Sequence, residues 1–190
     1  MPEKTSYYSR VIVFYILLKN LTKSTLFLKY FMNCHLDCRR FGSLNELLLW
    51  REELRFQNRT LAVASGCFDV FHNGHCSYLK DASKYADYLL VGINDDKSIK
   101  GLKGPSRPIN RESDRADVVA SLRFVNAVFI YENTAEFLKE VEPDVWVKGA
   151  DYNLKTLNQE ELNHVLRGGG RVEFSSLIAG LSSSNVLSKI

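Results

Sequence analysis

From Thr60 onward, five short strand-like runs alternate with segments of helical period, and that alternation leaves few folds open. The runs are Thr60–Ser65, Tyr88–Ile93, Ala127–Tyr131, Asp144–Lys148 and Arg171–Phe174. The central ones are almost continuously apolar, as expected of parallel strands covered on both faces. Helical spacing is read over 43–56, 74–85, 114–122, 134–140, 157–166 and 182–190. The first of these opens on Ser43 and Glu46, the pattern of a capping box. Strands that alternate with helices predict an α/β fold: a Rossmann-like, doubly wound parallel sheet of about five strands. Ligands of such sheets bind beyond the carboxyl ends of the strands, where strand order reverses. The informative residues should therefore directly follow strands.

Composition narrows the reading further. A chain of 190 residues, 45% hydrophobic and 25% charged, suits one globular domain with an appendage and excludes wholesale disorder. The charge is uneven. Residues 1–42 carry a net +5 and residues 43–190 a net −2, so the body offers no basic surface for nucleic acid. Residues 1–42 also hold 8 of the 22 aromatic residues and form a basic, aromatic, helical N-terminal extension ahead of the 43–190 domain. Its longest apolar run, Val11–Leu18, is too short for a membrane span of about 20 residues. No small-residue cleavage site follows. The extension reads as a surface-lying helix, as an extra helix on the domain, or as sequence ahead of a start at Met32. The four cysteines make no disulfide framework, and Cys34-x-x-x-Cys38 lacks a second ligand pair for zinc. Reduced thiols, no resident metal site and a cytoplasmic location are expected.

Four segments carry chemistry. The first strand runs into Gly66-Cys67-Phe68-Asp69-Val70-Phe71-His72-Asn73-Gly74-His75. This is neither the dinucleotide loop nor the P-loop. It sets two histidines at i and i+3 on one face of an opening helix turn, where free N–H groups and the dipole favour phosphate. Gly74 allows close backbone approach. The imidazoles can donate to phosphate oxygens or carry charge when protonated. Next come Lys100, Lys103, Arg107, Arg111 and Arg115, read as a proline-broken basic loop that can clamp a polyphosphate. Third is Val147-Lys148-Gly149-Ala150-Asp151-Tyr152, a strand end with a lysine to reach phosphate and a carboxylate to orient a hydroxyl. Fourth is Gly180-Leu181-Ser182-Ser183-Ser184, hydroxyls before a last helix. No nucleophile–base pair stands out. The chemistry is transfer onto a nucleophile that is already an anion, catalysed by positioning and charge stabilisation.

Taken together, these segments resemble the nucleotidyltransferases with a His-x-Gly-His signature, the cytidylyltransferase-like superfamily. Within it the chain is most similar to the heptose 1-phosphate adenylyltransferases. The likeness runs from Ser43 to Ile190. It includes Gly-Cys-Phe-Asp at 66–69, His-x-Gly-His at 72–75, Asn94-Asp95, Leu102-Lys103-Gly104-Pro105-Ser106-Arg107-Pro108, and Lys148-Gly149 with Asp151-Tyr152. The resemblance implies the reaction ATP + sugar 1-phosphate → ADP-sugar + pyrophosphate, with Mg²⁺ carried on ATP. It implies that His72 and His75 stabilise the triphosphate, helped by Lys103 and Lys148. It implies nucleotide contacts from Gly66, Cys67, Phe68, Asp69, Gly74, Asn94, Arg115, Lys148, Gly149 and Ser182–Ser184. It implies acceptor contacts from Asp69, Lys103, Arg107 and Asp151, with Asp69 also helping to place Mg²⁺. A homodimer and a separate sugar kinase that supplies the acceptor are the expected partners. The chain departs from the family pattern at Ala150, where glycine is usual, at Ala179, where an acid is usual, and at Ser183-Ser184, which replace two threonines. Three other readings stay open: a cytidylyltransferase making a CDP-alcohol such as CDP-glycerol, a nucleotide-binding module without turnover, and a peripheral membrane protein anchored by residues 1–42.

Overall fold

A computed structural model describes residues 38–175. The expected helix at 182–190 and nearly all of the N-terminal extension lie outside the described residues, as do Ser182, Ser183 and Ser184. Within them the chain runs β1 (Arg39–Arg40), α1 (Leu44–Phe56), β2 (Leu61–Gly66), α2 (Asn73–Ala82), β3 (Tyr88–Asn94), α3 (Asp96–Lys103), α4 (Glu112–Ala120), β4 (Ala127–Tyr131), α5 (Thr134–Val141), β5 (Val145–Lys148), α6 (Gln159–Arg167) and β6 (Arg171–Phe174).

The six strands form one sheet in the order β1-β4-β3-β2-β5-β6, and every pairing is parallel. The five expected strands are all present. The sixth, β1, lies in a stretch the sequence assigns to the extension. Arg39 and Arg40 pair with Ala127 and Val128, so residues 38–42 belong with the sheet. Strand order reverses between β2 and β5: β3 and β4 extend the sheet one way from β2, and β5 and β6 the other. The crevice of a doubly wound sheet therefore opens where β2 and β5 end, at Gly66 and Lys148.

Period-2 alternation divides strands β2 to β5 between two cores. Leu61, Val63, Leu90, Tyr131 and Trp146 face α1, α5 and α6, and pack with Trp50, Leu138 and Val165. Ala62, Ala64, Leu89, Val91, Val128 and Val147 face α2 and α4, and pack with Leu79, Ala116 and Val119. Side-chain caps start all of these helices but α4, whose first residue follows Arg111 without one. Ser43 accepts the Glu46 N–H to cap α1, and the Glu46 carboxylate reaches back to the Gly42 N–H, one residue earlier than the expected box. Asp95, Asn133 and Asn158 cap α3, α5 and α6 in the same way.

Helix α3 overturns one expectation. The basic residues 100–115 are not one loop: Lys100 and Lys103 lie on α3, which was not expected, Arg111 precedes α4, and Arg115 lies inside α4, within the helix expected over 114–122. The Asp95 side chain accepts the Ser98 N–H at 2.8 Å, and Ile99 is buried, so a cap and an apolar anchor hold α3 despite Gly101.

Candidate active site

Three strand-end segments meet at the carboxyl edge of the sheet: the loop after β2, the segment from Asn94 to Arg111 after β3, and the turn after β5. Phe68, in the first, has φ +48, a left-handed conformation costly for a bulky side chain. Its ring is buried beneath Gly66, where a Cβ would meet it at 3.1 Å. Burial of the ring holds the strained backbone in place, a pattern frequent at functional sites.

The histidines lie at the start of α2. The His72 Nδ1 accepts the Gly74 N–H at 3.1 Å and is the cap of α2. An accepting Nδ1 puts the ring proton on Nε2 in the neutral form. That Nε2 is buried and has no partner, and neither has Nδ1 of His75. The two rings stack with centroids 3.9 Å apart, and His75 also meets Phe68 and Phe71. Burial pushes the His75 pKa down to about 4, aided by His72 and by the Lys103 ammonium. Burial likewise lowers His72. Of the two options the sequence leaves open, charge or hydrogen-bond donation, the pair at neutral pH is built for donation. Buried polar atoms without partners on a stacked pair at the end of a central strand are a ligand signature.

Asp69 and Arg107 are brought together rather than left to face substrate. The Asp69 side chain is 0% exposed and ion-paired with Arg107. It also accepts the Ile109 and Asn110 N–H groups at 2.8 and 2.9 Å, while the Asn110 amide returns a bond to the Asp69 carbonyl. With its oxygens so engaged, the carboxylate lies below its ordinary pKa and does not fit the expected part in placing Mg²⁺. The physical reason is that a fully buried carboxylate needs a counter-charge and donors, and this loop supplies both. Arg107 is accordingly a latch on Asp69 here, not a free phosphate clamp. No group of three His, Cys, Asp or Glu side chains among the described residues is arranged to hold a metal ion.

Arg115 likewise turns inward. Its guanidinium, 2% exposed, donates to the carbonyls of Cys67, Asn94 and Asn110 and pairs with Asp96 at 2.8 Å. It ties the ends of β2 and β3 to the basic segment. The Cys67 thiol lies 3.8 Å from the Asn94 amide oxygen. Lys103, at the end of α3, remains exposed.

After β5, the Lys148 ammonium lies 4.9 Å over Trp146 and 4.2 Å over Tyr152. Burial lowers its pKa, opposed by Glu161 and then Asp151. Gly149 sits so close to Asp151 that a Cβ would meet its Oδ1 at 2.5 Å. Tyr78, one turn beyond His75 on α2, donates to the Val147 carbonyl at 2.7 Å and so links the histidine helix to the lysine strand. Glu161, on the first turn of α6, went unnoticed in the sequence; it lies thirteen residues beyond Lys148, across a loop with no motif.

The described residues contain no helix long and apolar enough to cross a membrane. Residues 63–186 match the family model described as cytidylyltransferase-like. The chain is 39% identical over 154 residues to the bifunctional protein HldE of Campylobacter fetus, covering 80% of this chain and 31% of that one. It is 41% identical over 150 residues to HldE of Pseudomonas entomophila, covering 78% and 31%. It thus spans about a third of the length of these relatives. Two solved structures share the fold. One is a lipopolysaccharide core biosynthesis protein from Thermoplasma volcanium, with TM-score 0.55, 24% identity, and 63% of this chain and 98% of that one covered. The other is a pantoate-beta-alanine ligase from Francisella tularensis, with TM-score 0.54, 15% identity, and 80% and 78% covered. With the family model spanning most of the sheet and both histidines, the chain belongs to the cytidylyltransferase-like family and its body is a nucleotidyltransferase domain.

Proposed function

We propose that this chain transfers AMP from Mg·ATP to a sugar 1-phosphate, with heptose 1-phosphate as the acceptor, and releases pyrophosphate. The observation that carries the reading is the neutral His72/His75 stack with unpaired buried nitrogens at the switch point of the sheet. The choice of acceptor is supported by the Leu102–Pro108 and Lys148–Tyr152 segments that resemble heptose 1-phosphate adenylyltransferases, and by similarity to the HldE relatives.

The chemistry balances simply. An acceptor phosphate oxygen, already an anion, forms a new bond to the α-phosphorus. The bond from that phosphorus to the α–β bridging oxygen breaks, and pyrophosphate leaves with the electron pair. No proton needs removal from the nucleophile, so no general base is required. Negative charge grows on the bridging and non-bridging oxygens. The His72 Nε2–H, which the α2 cap holds in one tautomer, donates to those oxygens. His75, held neutral, braces His72 and adds a second ring edge. Lys103 and Lys148 supply the positive charge that neutral imidazoles do not. The Gly74 turn and the strained Phe68 loop bring backbone to the phosphates, and Asp151 orients an acceptor hydroxyl. Ser182, Ser183 and Ser184 are proposed to meet the leaving phosphates. The divalent ion enters with the nucleotide as substrate.

The test is pyrophosphate release with Mg²⁺. ATP and CTP are crossed with heptose 1-phosphate, other hexose 1-phosphates and glycerol 3-phosphate, beside His72→Ala. Release from ATP and heptose 1-phosphate, lost by about 100-fold or more in the variant, supports the reading. Release with CTP and glycerol 3-phosphate alone moves the chain to the alcohol-phosphate branch. Nucleotide binding without release refutes turnover.

A further inference from the structure

Two arms of the candidate site are each held by contacts of their own. On α2, His72 caps the helix through Nδ1 and stacks on His75 at 3.9 Å. At the end of β5, the Lys148 ammonium rests over the rings of Trp146 and Tyr152. Tyr78 relates one arm to the other. His75, Tyr78, Leu79 and Ala82 recur at helical spacing and so share one face of α2. Leu79 and Ala82 are wholly buried and seat the far end of the helix on the sheet, in the core that Tyr78 also packs against. The Tyr78 hydroxyl then donates to the Val147 carbonyl at 2.7 Å, across 69 positions of sequence. The bond falls where the sheet divides. Pairing of β2 with β3 continues to Gly66 and Ile93, but pairing of β2 with β5 stops at Ala64 and Val147. Val147 is therefore the last residue of β5 paired with β2, and Lys148 follows it directly.

A buried phenol needs a partner for its one proton, and a carbonyl in many parts of a core satisfies it. This bond does more because of what stands at its two ends. His75 lies one turn before Tyr78, and Lys148 lies one residue after Val147. In the proposed reaction His72 donates to the oxygens whose charge Lys148 offsets, so the separation of the two arms decides whether both reach the same phosphate. The apolar contacts of Leu79 and Ala82 are non-directional and set that separation loosely. A hydrogen bond has a preferred length and angle and sets it closely. The Val147 carbonyl has two lone pairs, so it accepts from the phenol without giving up the sheet. A misplacement of about 1 Å between reacting groups costs on the order of 100-fold in rate.

We propose that Tyr78 is a positioning residue, whose hydroxyl holds the histidine pair and Lys148 at the separation the transition state requires. This rests on the transferase reading above. The test is Tyr78→Phe in the full chain, which keeps the ring in the core and deletes the donor. Assayed well below its Tm, with the substrate pair that supports release, the variant loses about 10- to 100-fold in kcat. Its KM values stay within about 3-fold, because the bond serves the transition state and not uniform binding. Its Tm falls by about 2–6 °C, the loss of one buried hydrogen bond in a domain of this size. Tyr78→para-aminophenylalanine, which returns a donor to the same place, recovers most of the kcat. Placed on Lys148→Ala, Tyr78→Phe costs less than about 3-fold more, since one of the arms it aligns is gone. A merely structural tyrosine gives the fall in Tm with kcat unchanged. Wild-type kcat in the folded Phe variant, a rise in KM alone, or no recovery with the aryl amine overturns this inference and leaves the proposed function standing. A wild-type chain inactive with every pair overturns both.

Discussion

Asp69 is the residue whose two candidate roles predict opposite experiments. As the latch seen here, it holds the segment 107–110 by an ion pair and two backbone N–H bonds, with its side chain wholly buried. Asp69→Ala deletes the carboxylate and leaves the Arg107 guanidinium, 12% exposed, without a counter-charge. Removing one partner of a buried pair costs about 3–5 kcal/mol. In a domain of this size each kcal/mol lowers Tm by about 2–4 °C, so the expected fall is about 6–20 °C. Asp69→Asn keeps the shape and one acceptor oxygen but not the charge, and falls between. The assay is thermal unfolding by circular dichroism in metal-free buffer, with chelator, beside a Mg²⁺ titration of activity. The latch predicts the full loss of Tm without metal and no change in the Mg²⁺ concentration for half-maximal activity. A metal-placing role predicts a wild-type Tm and a raised Mg²⁺ requirement. A Tm within about 2 °C of wild type would refute the latch.

Three further outcomes follow from the geometry. The His75 pKa is depressed to about 4 from 6.5, so the unfolded chain takes up that proton first as pH falls. The folded state is therefore fully favoured above about pH 6.5 and loses ground down to about pH 4; His75→Asn should flatten that part of a Tm-against-pH curve. Gly149→Ala sets a Cβ 2.5 Å from the Asp151 carboxylate, a mobile group that can swing away. Its Tm should stay within about 3 °C of wild type, while the acceptor KM rises several-fold. Gly170→Ala instead sets a Cβ 2.1 Å from the Pro143 carbonyl, which cannot move alone. An overpacking cost of about 1–3 kcal/mol should appear as a lowered urea midpoint with unchanged m.

Strands β2 to β5 were legible because strands largely buried on both faces are almost continuously apolar, and β6 because the glycines at 168–170 break the helix before it. Strand β1 was not, since its two residues are both arginine and its pairing is made by backbone alone, as in the Arg39 N–H to Asn126 carbonyl bond at 3.0 Å. Helix α3 was masked by Gly101 and by lysines whose spacing drew the eye to charge. At the site, the loop after β2 was legible because its histidines sit where strand becomes helix. The inward turn of Asp69 and Arg115 was not. Their partners lie up to 48 positions away, and a charged side chain carries no local mark of whether it meets a ligand or a carbonyl.

His72 has two employments in one ring. Its Nδ1 starts α2, and its Nε2 is buried without a partner. Most substitutions at this position therefore disturb folding and chemistry together, and their effects are confounded. Asparagine separates them, because it caps a helix as well as any residue but carries no donor at the distance of Nε2. A lineage that gave up turnover while keeping the fold would find that exchange nearly silent in stability. At residue 72, histidine and asparagine are therefore expected to differ in turnover and hardly at all in stability, a separation that an intact sheet cannot report.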